Sequence, residues 1–256
     1  MSQVEFAVSP YRFSADPPAM VAFLETLGMR KVLTTAGDWF GVLRAGAGWV
    51  GVHQAASSDI GAAPGETQLV LLTRSAAAAA AELESRGIST TVWDESYGQH
   101  AGVTDPTGGG IWINEYQDDL YGYLGHDGEG DPRLSVTMVR PSVDREADRT
   151  FFGTFGFVPE AGANEWWEAL RASDVSGVIG LHKPMSGEYP TSSAASPFAD
   201  RTSIARLGFE TTEDLDALAV RLSAAGYQAR VVVDAVRAVH VTDPDGCRIE
   251  IHPART

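Results

Sequence analysis

The sequence predicts an α+β fold built from four consecutive βαβββ units, and two observations support this prediction. First, the hairpin VTDPDGCRIEIHP at 241–253 has a near copy, VTDPTGGGIWINE, at 103–115. Its Asp-Pro-x-Gly core indicates a tight turn, because proline fixes φ and glycine accepts a positive φ, and apolar residues alternate after the turn as they do in a strand. Second, DWFGVLRA at 38–45 is matched by EWWEALRA at 165–172. The chain therefore contains an internal repeat.

The first two units occupy residues 1–55 and 65–117. In the first, a strand at 4–9 precedes a helix that starts at the Asp16-Pro17-Pro18 signal and stops at Gly28. Three strands follow, MRKVLTT, DWFGVLRAG and GWVGVHQA. The second unit has the strand QLVLLT, a helix over 76–86, and the strands ISTTVWD, QHAGVTDP and GGIWINE.

The remaining two units occupy residues 133–185 and 200–256. Each again has a strand, then a helix (over 144–155 and 213–225), then further strands. Residues 118–132 are rich in Gly and Asp and predict a linker, and 185–200 predicts a Ser/Pro/Ala-rich loop. We therefore predict two domains, 1–117 and 133–256, each made of two units.

The amino-acid composition limits the partners, disulfides and cellular location that can be expected of the protein. The 256 residues carry 34 acidic and 19 basic side chains, a formal net charge of −15. This charge argues against nucleic acid and anionic membrane partners and favours neutral or cationic ligands. Cys247 is the only cysteine, so the chain cannot form an internal disulfide. With no apolar run long enough to span a membrane and no leader-like N-terminus, we expect a cytoplasmic protein that is either a monomer with paired domains or a homodimer.

Four βαβββ units with a DPxG turn before the last strand resemble the vicinal oxygen chelate superfamily, which includes glyoxalases, extradiol dioxygenases and bleomycin-resistance proteins. The resemblance covers nearly the whole chain. It implies that pairs of units curl into cup-shaped, glyoxalase-like domains with the ligand inside the cup. In metal-dependent members, His, Glu or Gln ligands stand on the first and last strands of each unit.

Matching the units predicts that the superfamily's metal site is not assembled here. Glu250 stands at a ligand position, whereas Arg206 replaces a histidine and Trp112 replaces a glutamate. Gly51 and Gly180 offer no side-chain ligand at all. Gln68 and Ser135 occupy two further positions. A displaced site that uses His182, Glu250 and His252 to bind zinc, iron, nickel or manganese is the alternative.

Aromatic side chains indicate which class of small molecule the cups bind in place of a metal ion. Trp112 follows the first DPxG turn in the run I-W-I, which resembles the metal-free, antibiotic-binding branch of the superfamily, and we expect its ring to face the first cup. Trp39, Trp49, Trp166 and Trp167 are predicted on strands that form cup walls. The predicted ligand-binding residues are His53, Gln68, His100, Trp112, Asn114, His182, Arg206, His240, Glu250 and His252. Such cups suit flat or amphipathic molecules.

Three functions fit the sequence. The main prediction is a metal-free protein, with no cofactor, that binds an apolar or cationic small molecule, antibiotics included. The alternative is a metal-dependent lyase, isomerase or dioxygenase that uses the displaced histidines. The third is a scaffold whose cups are filled. For the second cup we further predict that Arg206 and Glu250 face each other as an ion pair.

Overall fold

The computed structural model describes residues 4–95, 98–116, 120, 122–234 and 236–254 and has the predicted α+β class. Each of the four units contains one helix, and every helix starts at a side chain that caps it. Asp16, Ser75, Asp144 and Asp214 each accept a hydrogen bond from the backbone N–H three residues later. The repeat is therefore a repeat of local structure as well as of sequence.

The elements of the first two units follow the predicted order. The initial strand of the first unit is divided at Pro10, which supplies no N–H for pairing. The first unit contains β1 Ala7–Val8, β2 Tyr11–Ser14, α1 Pro17–Leu27, β3 Arg30–Thr34, β4 Phe40–Arg44, β5 Trp49–Gln54 and a 3-10 turn at Ala55–Ser57. The second contains β6 Thr67–Gln68, β7 Val70–Thr73, α2 Ala76–Ser85, β8 Thr90–Glu95, β9 Gly98–Thr104 and β10 Gly110–Glu115.

The second half repeats this order, with short strands in the segments predicted as irregular. The predicted linker contains β11 Leu124–Gly125, and the third unit contains β12 Leu134–Pro141, α3 Arg145–Gly153, β13 Val158–Pro159, β14 Trp167–Arg171 and β15 Val178–His182. The predicted loop at 185–200 contains β16 Thr191–Ser192, and β17 Thr202–Ser203 follows it. The fourth unit contains β18 Arg206–Thr211, α4 Leu215–Ala224, β19 Ala229–Val233, β20 Arg237–Thr242 and β21 Arg248–Pro253.

The chain forms two compact units that each combine segments from both halves of the sequence. Compact unit 1 contains residues 1–10, 68–121 and 138–205, and compact unit 2 contains 11–67, 122–137 and 206–256. The predicted division into domains 1–117 and 133–256 follows sequence order and stays a prediction. Contacts group the second repeat with the third and the first with the fourth.

In compact unit 1, β10 is the central strand. It pairs in parallel with β7 and antiparallel with β9, and β8 pairs antiparallel with β9. Ala101, Val103, Ile111 and Ile113 are buried on one face of these strands. Alternation therefore places His100, Gly102, Trp112 and Asn114 on the opposite face. β17 joins β10 at its first residue, where Gly110 pairs with Thr202.

In compact unit 2, the corresponding strands have the same pairing. β18 runs parallel to β21, and β20 pairs antiparallel with both β21 and β19. β5 pairs in parallel with β2 and antiparallel with β4. β11 pairs with β3 through Leu124 and Thr34, so part of the predicted linker is bound to a sheet edge. Within the described residues, no helix is both long and apolar enough to cross a membrane.

Each compact unit contains a buried arginine bound to the aspartate of a VTDP turn. In compact unit 1, Nη1 of Arg140 lies 2.8 Å from Oδ2 of Asp105, and Nε lies 3.0 Å from Oδ1 of Asp148. In compact unit 2, Arg12 donates to Asp243, and its Nε lies 3.6 Å from Oδ2 of Asp245. The repeated turn is thus held by an arginine from the first strand of another repeat.

Candidate aromatic site in compact unit 1

Two tryptophans and a histidine converge on the face of β8 to β10 that is opposite Ala101, Val103, Ile111 and Ile113. The sheet register places His100 opposite both Trp93 and Asn114, and Trp112 opposite Gly102. The rings of Trp93 and Trp112 meet edge to face with centroids 5.1 Å apart, and Trp93 lies 5.8 Å from His100. The structure therefore brings together three predicted site residues, His100, Trp112 and Asn114, and adds Trp93.

Phe198, from the predicted loop, completes this cluster. Its ring centroid lies 5.4 Å from those of both Trp93 and Trp112. It can pack this closely because Gly102 and Gly110 have no side chains: a Cβ at Gly102 would come within 2.5 Å of the ring, and one at Gly110 within 2.8 Å. Sequence reasoning missed Phe198, although two glycines on one face indicated a space that another side chain fills.

A cavity of about 370 Å³ borders this cluster and shares Phe198 and Gly102 with it. Thr91, Thr104 and Phe151 also line it, together with Gly87, Ile88, Ser89, Val103, Asp105 and Pro106. Its volume is that of a pocket for a small molecule. Part of the lining is therefore aromatic, and the remainder combines hydroxyl groups, apolar side chains and the carboxylate of Asp105.

His100 is held mainly in its neutral form. Burial lowers the pKa of its imidazole, because a charged ring loses solvation, while Glu95 and Glu115 oppose this shift. A neutral imidazole both donates and accepts a hydrogen bond. At neutral pH the cluster thus presents flat, uncharged rings with carboxylates nearby.

Three other predicted ligand-binding residues, from both predicted domains, make contacts outside the aromatic cluster. Gln68 is buried in compact unit 1, where it forms a bridge with Ile204. His53 belongs to compact unit 2, where its ring packs against Phe13 and Trp39, each at 5.5 Å. His182 pairs with Trp167 across β14 and β15, and their rings lie 6.4 Å apart. The ten predicted residues therefore do not form one site within either compact unit.

Aromatic rings fill two positions where the resemblance implies metal ligands. A Cβ at Gly51 would lie 2.5 Å from the ring of Tyr11, and one at Gly180 would lie 1.9 Å from the ring of Trp167. These glycines leave space for a ring, so their lack of a ligand side chain has a structural purpose. The other tryptophans that were predicted on cup walls do not fill such a space. Trp39 and Trp166 are exposed, and the ring centroid of Trp49 lies 5.5 Å from the guanidinium of Arg44.

Glu250 is surrounded by positive or protonatable groups. Its carboxylate lies 3.4 Å from Nε2 of His252, 3.8 Å from Nε2 of His240 and 3.1 Å from Nη2 of Arg248. The hydrogen bond to His252, with the charges of His240 and Arg248, lowers the pKa of Glu250 to about 2. Extending the β18–β21 register places Gly208 opposite Glu250 and Arg206 opposite Arg248, and the Arg206–Glu250 ion pair stays a prediction.

The described residues do not assemble the superfamily's metal site. No group of three or more His, Cys, Asp or Glu side chains among them is arranged to hold an ion. In the displaced alternative, His182 belongs to compact unit 1, whereas Glu250 and His252 belong to compact unit 2.

Solved structures with a similar fold include dioxygenases and a glyoxalase. A catechol 2,3-dioxygenase shares 15% identity with a TM-score of 0.58, over 97% of this chain and 86% of its own. The 2,3-dioxygenase LapB from Pseudomonas sp. KL28 shares 11% identity with a TM-score of 0.59, over 99% and 92%. The Mn(II)-bound glyoxalase from Novosphingobium aromaticivorans shares 15% identity with a TM-score of 0.56, over 98% and 82%.

The chain thus has the fold of the vicinal oxygen chelate superfamily, as the resemblance implied. No protein-family model matches it, and no curated protein sequence does. The names of the similar structures agree better with the predicted alternative, an enzyme of this superfamily, than with a metal-free binding protein. At these identities the likeness concerns the fold, and function has to be argued from the site.

Proposed function

We propose that this protein binds a small planar aromatic molecule, uncharged or cationic, in the cavity beside Phe198. The proposal rests on one observation: a cavity of about 370 Å³ shares Phe198 with a cluster of four rings, Trp93, His100, Trp112 and Phe198. A planar ligand would stack on or meet the edge of Phe198, which Trp93 and Trp112 support from behind. The net charge of −15 would favour a positively charged ligand over a negatively charged one.

The names of similar proteins support the ligand class. Dioxygenases of similar fold are named for catechol and for 2,2',3-trihydroxybiphenyl, both aromatic compounds. Those names concern the other proteins. They agree with an aromatic ligand here. A protein of this fold that lost its metal but still bound aromatic molecules would keep the aromatic walls of its cavity and lose the side chains that held the metal.

Calorimetric titration with 2-naphthol and with the cationic N-methylquinolinium tests the proposal. We expect Phe198→Ala to weaken binding about tenfold, because it removes a stacking surface worth about 1 kcal/mol together with apolar contact area. Thr91→Tyr should weaken binding at least as much, because the larger side chain would occupy part of the cavity and exclude the ligand.

Trp166→Ala is the matched control, since Trp166 is an exposed aromatic residue that does not line the cavity. It should bind both probes as the wild type does. Circular dichroism establishes that each variant is folded. Equal affinities in the wild type, Phe198→Ala and Thr91→Tyr would contradict the proposed site.

A second candidate is a metal-dependent enzyme of this superfamily, which the dioxygenase and glyoxalase structures favour. Among the described residues of compact unit 2, Glu250 lies 3.8 Å from His240 and 3.4 Å from His252, and these are the donor types that such an enzyme would use. Elemental analysis of protein purified without chelator or affinity metal decides between the candidates. One iron, manganese, zinc or nickel per chain would favour the enzyme, and its loss in Glu250→Gln would place the ion.

A further inference from the structure

A second cavity, of about 330 Å³, lies in compact unit 2 at the strands β19, β20 and β21. It is lined by Gln228, Ala229, Arg230, His240, Val241, Thr242 and Arg248. Each polar side chain in this set can donate a hydrogen bond, and two carry a permanent positive charge. The lining contains no carboxylate, although the chain as a whole has a net charge of −15.

The sheet register explains why these side chains converge. Arg230 pairs directly with His240, and Thr242 pairs directly with Arg248. The backbone N–H of Thr242 donates to the carbonyl of Gln228, which places the amide side chain in the same row. Val239, Ile249 and Ile251 are buried on the other face of these strands. Alternation therefore directs five donor side chains to one face.

Glu250 positions two of these donors from outside the cavity. Its Oε1 lies 3.1 Å from Nη2 of Arg248 and 3.8 Å from Nε2 of His240. A carboxylate beside the cavity thus pairs with the guanidinium of Arg248 and lies near the imidazole of His240, while Arg230 completes the set from the edge strand.

We propose that this cavity, which we call the β19–β21 site, binds a small oxyanion: the phosphate of a phosphate ester, or a carboxylate. Planar guanidinium groups bind both groups through paired N–H···O hydrogen bonds. The Gln228 amide and the Thr242 hydroxyl would donate to the remaining oxygens. This site lies in a different compact unit from the aromatic cluster and does not depend on the function proposed for that cluster.

Titration of the full-length protein with inorganic phosphate, and separately with acetate, tests the proposal at low ionic strength. We expect saturable binding of at least one anion, weakened at least tenfold by Arg230→Gln or Arg248→Gln and undetectable in the double variant. Higher salt should weaken it, because partly exposed charges are screened. Preference for phosphate would identify a phosphate-bearing ligand, and preference for acetate a carboxylate.

Arg237→Gln is the matched control, because Arg237 is an exposed arginine on β20, between the strands of the two tested arginines. It pairs with Asp216 at 2.5 Å and does not line the cavity. It should bind the anion as the wild type does. The proposal would be overturned if neither anion bound the wild type, if the double variant bound as tightly as the wild type, or if Arg237→Gln lost binding equally. Thermal unfolding without anion shows that the variants are folded.

Discussion

Arg140→Met is expected to lower the free energy of unfolding by about 3–5 kcal/mol, because it leaves buried carboxylates without their cation. Arg140 is fully buried with Asp105 and Asp148. It also donates to Ser203 at 2.7 Å and to Thr107 at 3.3 Å. Removing the guanidinium therefore removes hydrogen bonds as well as charge.

The pH dependence of this variant follows from its carboxylates. Burial raises the pKa of Asp148 even with Arg140 present, and loss of the arginine should raise it further. A raised pKa means that the folded state binds the proton more tightly than the unfolded state. Stability then increases as the pH falls through the folded-state pKa, so the loss in Arg140→Met should shrink as the pH is lowered from neutral toward the ordinary carboxyl pKa.

Urea unfolding measures this effect, with Arg237→Met as the control. Arg237 and Asp216 are both exposed, so their ion pair should contribute about 1 kcal/mol or less. Neutralising the carboxylates in the variant Arg140→Met/Asp105→Asn/Asp148→Asn should recover much of the loss. A loss in Arg140→Met no larger than that of the control would show that the network is not important for stability.

The second large effect is expected at the equivalent position of compact unit 2. Arg12→Met should cost about 3–5 kcal/mol, because Asp243 and Asp245 lose their buried cation. Arg12 also donates to the carbonyl of Gly65 and to the hydroxyl of Thr67. The same turn aspartate is thus held by the same type of residue in both compact units.

Asp243→Asn tests the role of charge at this position and should be milder, at about 1–3 kcal/mol. Oδ1 of Asp243 accepts from the backbone N–H of Cys247 at 2.8 Å and of Asp245 at 3.1 Å. Asparagine can keep these turn contacts, and Asp245 still accompanies Arg12. If Arg12→Met and Asp243→Asn were equally mild in urea unfolding, the buried pair would not stabilise the turn.

The fold could be predicted because each copy of the repeat contains short sequence signals that determine local structure. The VTDP turns, the capping residues and the glycines after the helices each act within a few residues. A further repeat was missed: Arg12-x-Ser14-x-Asp16 and Arg140-x-Ser142-x-Asp144 share one spacing. In each copy the arginine holds a VTDP turn, and the aspartate caps a helix.

The aromatic site could be predicted only in part. Trp112, His100 and Asn114 share one face because strand alternation fixes it. Phe198 was missed because it comes from a segment without periodicity, and its position depends on the pairing of β17 with β10 some 90 residues away in sequence. Of the donors in the charged cavity, His240 was predicted as a ligand-binding residue. Gln228, Arg230, Thr242 and Arg248 were missed because they resemble ordinary surface residues in sequence, and only the register of three strands brings them together.

Fluorine NMR of protein labelled with 5-fluorotryptophan tests the aromatic site most directly. The chain has six tryptophans, whose signals can be assigned by single Trp→Phe variants. On titration with 2-naphthol, the signals of Trp93 and Trp112 should shift and saturate together, because both rings contact Phe198 at the cavity. Those of Trp39, Trp49, Trp166 and Trp167 should stay in place. Saturable shifts confined to these four, with Trp93 and Trp112 unchanged, would contradict the proposed site.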